Sequence, residues 1–203
     1  MGKVKILSEE RILDSYIKID KATVEHEMPN GEKATYSRFK VDRPDAVVAL
    51  VCNKSENTVI LVRQFRYPVA SNGYKENVLE AVAGKIDSGE TPIQAVVREL
   101  EEEIGYKIPE HSLTFIGETF VSPGYTTEKF HLFIAQVNNT MKISEGGGLA
   151  SEHEDIELVE LHMDTFIGML QNNEIKDAKT FILAQALVLR KISADLSSVL
   201  LGL

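Results

Sequence analysis

The sequence predicts an α+β domain: a mostly antiparallel or mixed sheet, one helix in the middle of the chain and two at its C-terminal end. Three observations lead there. Short apolar runs, alternating or continuous, recur between turn signals from Tyr16 to Val137. One segment, Pro92 to Ile104, carries helix-start and helix-stop signals around an apolar stripe. From about Asp164 onward the apolar period becomes helical. We divide the chain into an N-terminal β region, 1–44, and a main domain, 45–203.

The elements follow in order. Tyr16 to Asp20 reads as a strand with no evident hairpin partner before Ala34. Pro29-Asn30-Gly31 then turns the chain into a second strand, Ala34 to Val41. Ala46 to Cys52 and Thr58 to Phe65 are two more, separated by the polar turn Asn53 to Asn57. Val78 to Ala83 is a short apolar stretch that ends at Gly84. Leu113 to Phe120 and Phe130 to Val137 read as strands split by Ser122-Pro123-Gly124. Asn138 to His153 is a long polar segment containing Gly146-Gly147-Gly148, and a loop of that length is more often functional than idle. Ile156 to Leu161 alternates as a strand does. The two late helices start near Asp164 and Asp177; the second carries Phe181, Leu183, Ala186, Leu187 and Leu189 on to Leu196. The chain has no internal repeat and no low-complexity tract.

Bulk composition removes several functions. With 203 residues and 43% hydrophobic side chains the chain can build a sizeable core. Its 31 acidic and 22 basic residues give a net charge of -9, so it lacks the footprint of a nucleic-acid binder and has no reason to adhere to anionic lipid. An acidic protein that handles a polyanion needs local cations, and bound metal is the obvious source. Cys52 is the single cysteine, which excludes an intrachain disulfide and a cysteine metal site. Following the run Val47 to Val51, it reads as a small core residue. Met1 to Glu10 is charged and lacks the apolar core of a signal peptide, and no run approaches the ~20 apolar residues of a membrane span. A cytoplasmic location is expected.

The central helix carries the chemistry. Thr91 is its N-cap, Pro92 its first residue, and Gln94 closes a capping box; Gly105 is the matching stop. Ile93, Val96, Val97, Leu100 and Ile104 form one apolar stripe. Glu99 and Glu103, four apart, stack their carboxylates beside it. On an isolated helix that costs a few tenths of a kcal/mol, and a divalent cation between them would reverse the sign. Glu102 sits four residues from Arg98, while Glu101 points elsewhere. Hard oxygens without cysteine or paired histidine favour Mg²⁺ or Mn²⁺ over zinc. Taken alone, such a helix also reads as a solvated acidic face.

The spacing around the helix carries more. Gly84, five residues, Glu90, seven residues, Arg98-Glu99-Leu100, Glu101, Glu102-Glu103, Ile104 and Gly105-Tyr106 match every fixed position of the Nudix box. The chain therefore resembles the Nudix hydrolases. The resemblance implies an α/β/α sandwich with a mixed central sheet, metal on Glu99, Glu102 and Glu103, and Arg98 and Glu90 holding the carboxylates and the loop. Gly84 would let backbone approach the substrate closely.

Flanking residues narrow the group. Leu61-Val62-Arg63-Gln64-Phe65-Arg66-Tyr67, Leu79-Glu80-Ala81-Val82-Ala83-Gly84-Lys85 and Ser122-Pro123-Gly124-Tyr125-Thr126-Thr127-Glu128 resemble segments of the nucleoside diphosphate sugar pyrophosphatases, which act on ADP-ribose or GDP-mannose. In that group the residue at Ala83 lends a backbone carbonyl to metal. Glu152-His153-Glu154-Asp155-Ile156 is similar to their acidic loop, which implies Glu154 as a further ligand and Glu152 or Glu154 as general base. Gly146-Gly147-Gly148 and Glu174 to Thr180 are similar to the bacterial GDP-mannose branch. That likeness implies substrate contacts from Tyr16, Arg38, Arg66, Glu128 and Lys179, and a homodimer whose N-terminal strands reach across to the partner; Arg63 is a further candidate for phosphate oxygens beside Arg66. Ser37 and Phe39 depart from that branch beside Arg38. Each contact has a plainer alternative: Arg63 and Arg66 as salt-bridged strand residues, Lys179 as a carbonyl cap, Tyr16 as core packing, His153 as a bystander. Two rival functions are a house-cleaning nucleoside triphosphate pyrophosphohydrolase and a non-catalytic ADP-ribose-sensing module.

Overall fold

A computed structural model describes residues 3–148 and 155–201, with side chains as far as 193. The chain falls into two units, Met1–Asp45 with Thr119–Lys129, and Ala46–Glu118 with Phe130–Leu203.

The first unit holds an antiparallel sheet of β1 (Val4–Asp14), β2 (Lys18–Glu27) and β3 (Lys33–Asp42), in that order. The expected turn at Pro29-Asn30-Gly31 is there, closed by Met28 N–H donating to the Glu32 carbonyl at 2.7 Å. Strand β1 was not legible in the sequence. It is exposed along its whole length, so no burial requirement wrote a two-residue period into it. It also gives β2 a partner, paired from Val4 opposite His26 to Asp14 opposite Lys18 with register shifts at Ile6/Ser8 and Arg11/Leu13, which overturns the expectation that the first strand lacks one. The expected strand at Tyr16 to Asp20 starts two residues later, at Lys18, because Ser15–Ile17 make the turn. Asp20 is buried and is held from the flanking strands by Arg11 and by Lys40, the latter at 3.3 Å.

The second unit is arranged around β4 (Ala46–Asn53), which is buried at every residue. Its alternation sorts side chains into two cores. Val47, Ala49 and Val51 join one cluster; Val48, Leu50 and Cys52 join the other. A strand covered on both faces reads as a continuous apolar run, as this one does. Beside it lie β5 (Thr58–Gln64), the one-turn helix α1 (Tyr67–Ser71), β6 (Val78–Glu80) and β7 (Val82–Lys85). They are followed by helix α2 (Pro92–Ile104), β8 (Leu113–Phe120), β9 (Lys129–Val137), β10 (Glu157–His162), α3 (Met163–Gln171) and α4 (Ala178–Leu201). The sheet order among the described residues is β10-β5-β4-β9-β8, with β6 on β5 and β7 on β4. Strands β4 and β9 run parallel and the other registered pairs are antiparallel, so the sheet is mixed as expected.

Helix α2 covers one face through Ala95, Val96, Leu100 and Ile104; Phe166 of α3 and Leu183 and Ala184 of α4 cover the other. Each fully buried Leu or Phe contributes roughly 1.5–3 kcal/mol relative to exposure. Two details differ from the sequence reading. The stripe on α2 is rotated: Ile93 is exposed and Ala95 is buried in its place, which also carries Glu103 into the buried arc. The short helix α1, with Pro68 in its first turn, was not anticipated. No helix among the described residues is long and apolar enough to cross a membrane.

Candidate active site

Helix α2 begins and ends where local chemistry dictates. Thr91 Oγ1 accepts the Gln94 N–H, the Gln94 side chain accepts the Thr91 N–H at 2.9 Å, and Gly105 closes the helix in the left-handed region at φ 73°. With its ends fixed and one face buried, the helix holds its polar face rigidly over β7.

Arg98 organises that face. Its Nε and Nη2 donate to the two oxygens of Glu90, both at 3.0 Å, and Nη2 also donates to the Lys85 carbonyl at 3.0 Å. Its Nη1 donates to Glu99 at 2.8 Å and to Glu102 at 3.0 Å. Glu90 in turn accepts the Asp87 N–H at 3.1 Å, which fastens the loop before the helix. Hydrogen bonds from Arg98 hold the Glu90 carboxyl below the usual carboxylate range, and the surrounding carboxylates raise the Arg98 pKa. A charge-assisted hydrogen bond contributes about 1.5–3 kcal/mol before solvent screening, against a few tenths for repulsion between stacked carboxylates. One guanidinium therefore outweighs the repulsion between Glu99 and Glu102. None of its hydrogen bonds reaches Glu103.

Glu103 is 2% exposed, and among the described residues no hydrogen bond reaches its Oε2; its charge acts on Arg66. A buried carboxylate oxygen of this kind is expensive unless a cation meets it. Backbone closes in from two sides. A Cβ at Gly84 would overlap the Glu99 carboxylate, so this glycine makes room for a helix side chain. A Cβ at Gly146, whose φ is +68°, would overlap the Glu103 carbonyl. The two glycines after it donate to the helix end, Gly147 N–H to the Glu103 carbonyl at 2.8 Å and Gly148 N–H to the Glu102 carbonyl at 3.1 Å. As the side chains stand, no three acidic, histidine or cysteine groups among the described residues converge at ligand distance, and Arg98 holds an oxygen each of Glu99 and Glu102. The donor set nevertheless fits a hard divalent ion: carboxylates in excess of cations, one buried oxygen, and the backbone at Gly84 running beside the Glu99 carboxylate.

A second cluster forms on one carboxylate. Glu80, at the end of β6, is buried; Arg66 donates to it from Nε at 2.7 Å and from Nη2 at 3.0 Å, and Lys179 Nζ also donates to it. Lys179 further bonds Asp177 at 2.9 Å. Asp177 caps α4 by accepting the Thr180 N–H at 3.0 Å and the Thr180 hydroxyl at 2.5 Å, and Thr180 Oγ1 accepts the Ala81 N–H at 2.7 Å. Burial pushes the Glu80 carboxyl up, but Arg66 and Lys179 outweigh it and hold the pKa below the usual range. For Arg66 desolvation favours the neutral form, and Glu80, Glu103 and Asp177 more than offset it.

The remaining expected residues have the following local settings. Arg63 is paired across strands with Glu157, at 3.1 Å to both oxygens, the plainer of its two readings. In the first unit, Tyr16 is 89% exposed and so is not core packing. Arg38 of β3 lies 4.0 Å over the Tyr36 ring, and Glu128 pairs with Arg43 at 3.4 Å. Glu152, His153 and Glu154 lie outside the described residues. Cys52 is buried, which pushes its thiol up to about 11, as a core residue requires. Sequence reasoning gave too little weight to Glu80, Asp177 and Thr180. The usable signal was a carboxylate inside the apolar run Val78 to Ala83, a position that demands a buried cation.

Comparison with known proteins agrees with this geometry. Residues 42–182 match the family described as NUDIX domain. The GDP-mannose pyrophosphatase of Salmonella typhimurium (strain LT2) is 36% identical over 185 residues, 90% of this chain and 94% of that protein. The GDP-mannose pyrophosphatase of Pectobacterium atrosepticum is 34% identical over 188 residues, 92% and 95%, and that of Citrobacter koseri 33% over 182, 89% and 93%. A solved structure described as an ADP compounds hydrolase superimposes with a TM-score of 0.69 at 25% identity, over 95% of this chain and 96% of that one.

Proposed function

The chain belongs to the NUDIX family, and from that premise we propose that it is a Mg²⁺-dependent hydrolase of nucleoside diphosphate sugars, of the GDP-mannose or ADP-ribose type. It splits the pyrophosphate into a nucleoside monophosphate and a sugar phosphate. The observation that carries the reading is the excess of carboxylate around Arg98, where Glu90, Glu99 and Glu102 share one guanidinium and Glu103 lies buried beside them.

Glu99, Glu102, Glu103 and the Ala83 carbonyl would hold Mg²⁺, with Mn²⁺ as a substitute and Glu154 as a further ligand. When bound, the ion neutralises phosphate charge and lowers the pKa of water. Arg98 acts by positioning: it fixes Glu99 and Glu102 and ties them to the loop through Glu90. Arg66 offers guanidinium donors to phosphate oxygens. A loop carboxylate, Glu152 or Glu154, takes the proton from the attacking water. The likeness to GDP-mannose pyrophosphatases over about nine-tenths of the chain supports the nucleotide-sugar class. It also supports a homodimer, as do the exposed apolar side chains Val4, Ile6 and Ile12 on β1. Light scattering at micromolar concentration should give twice 22.6 kDa; a monomer would reject the dimer.

The test of substrate class is a steady-state comparison of GDP-mannose, ADP-ribose, other nucleotide sugars and nucleoside triphosphates in Mg²⁺. We expect the best nucleotide sugar to exceed any triphosphate in kcat/KM by at least about a hundredfold, roughly 2.7 kcal/mol of discrimination. A triphosphate as best substrate would overturn the class. Binding of ADP-ribose without turnover of anything would instead establish a sensing module.

A further inference from the structure

Glu80 makes no sense as a solvent-facing acid or as a core residue. Its side chain is 3% exposed, and both oxygens accept hydrogen bonds from cations. The Arg66 side chain, by contrast, is 41% exposed and uses only its Nε and Nη2 on Glu80. Among the described residues its Nη1 makes no hydrogen bond, and the charge of the box carboxylate Glu103 is felt at Arg66. The guanidinium is thus gripped by one edge on Glu80, and its Nη1 is left without a hydrogen bond among the described residues.

We propose that Glu80 is a positioning residue for the diphosphate: it fixes Arg66 by one edge of its fork and holds Lys179, so that Arg66 meets the phosphates already oriented. This rests on the nucleotide-sugar reading given above. An unrestrained arginine carries rotamer entropy that binding would have to remove. Fixing it beforehand transfers that cost from binding to folding. The same network extends further. Thr180 Oγ1, oriented by Asp177, accepts the Ala81 N–H, so the strand that leads into Ala83 and Gly84 is anchored at the same point.

Glu80→Gln keeps the shape but places an amide donor against two cations. KM for GDP-mannose or ADP-ribose should rise about tenfold or more, with kcat changed less than about threefold. On an Arg66→Ala background the same change should raise KM by less than about twofold, since Glu80 acts through Arg66. A merely structural role would lower thermal stability or active fraction and leave KM alone. An unchanged KM, or effects that multiply in the double variant, overturns the proposal. If Glu80→Gln does not fold, Arg66→Lys is the second variant: it keeps the charge but loses the fork. It should raise KM nearly as much as Arg66→Ala, and wild-type KM there would also overturn the proposal. If the wild type hydrolyses neither substrate, the nucleotide-sugar reading falls and this inference with it. If it hydrolyses one and KM stays put in the variants, only the inference falls.

Discussion

Arg98 and Glu80 are centres of opposite kinds. Around Arg98 one guanidinium gathers three carboxylates, with a fourth, Glu103, buried nearby. Around Glu80 one carboxylate gathers two cations, and Asp177 balances the second. The first region is left strongly negative and calls for divalent cations; the second is neutral within itself. A cluster with carboxylates in excess of cations is suited to a divalent ligand, whose arrival offsets their mutual repulsion. A balanced network supplies geometry. The two regions should therefore fail differently when a member is removed: the first in turnover, the second in substrate affinity and stability.

The largest effect should come from Glu103→Gln, which removes charge from the negative region without removing volume. We expect kcat to drop by on the order of a thousandfold at saturating Mg²⁺. The fold should be retained, since the substitution keeps the side-chain volume. Turnover within about tenfold of wild type would break the contrast. Arg98→Ala should cost about 10–100-fold in activity by loosening Glu99, Glu102 and Glu90, and should raise the Mg²⁺ concentration needed for half-maximal rate. An unchanged Mg²⁺ dependence would show that Arg98 does not position the ligands. Gly84→Ala tests the same region from the strand side. The added methyl can be accommodated only by swinging the Glu99 carboxylate away, so activity should fall several-fold while circular dichroism stays native. Wild-type activity would mean that the Glu99 position is immaterial.

The smallest effect concerns pH. Glu80 has a folded pKa below its ordinary value of 4.5. The stability from its pairing is complete above that value and is lost as pH falls through the lower folded pKa. The difference in melting temperature between wild type and Glu80→Gln should therefore be greatest near neutral pH and shrink below about pH 4.5. A difference that widens on acidification would contradict the balanced-network account.

What the sequence made legible divides along the same line. The box helix is local: its caps, its stop and its Arg98 contacts lie within a dozen or so residues, so spacing alone anticipates them. The Glu80 cluster is non-local, joining partners 14 and 99 residues apart, and no period or spacing records such a meeting. Strand β1 escaped for a third reason. An edge strand exposed at every position has no buried face to impose a pattern. The rotation of α2 that exposes Ile93 and buries Ala95 follows from packing against β7, which periodicity cannot resolve to within one residue.

The most direct measurement is product analysis by ³¹P NMR after turnover of GDP-mannose and of ADP-ribose in ¹⁸O-labelled water with Mg²⁺. The account predicts a nucleoside monophosphate and a sugar phosphate in equal amounts, one ¹⁸O in one of the two, and none of this in EDTA. Turnover that persists in EDTA, or release of inorganic phosphate in place of that product pair, would contradict it.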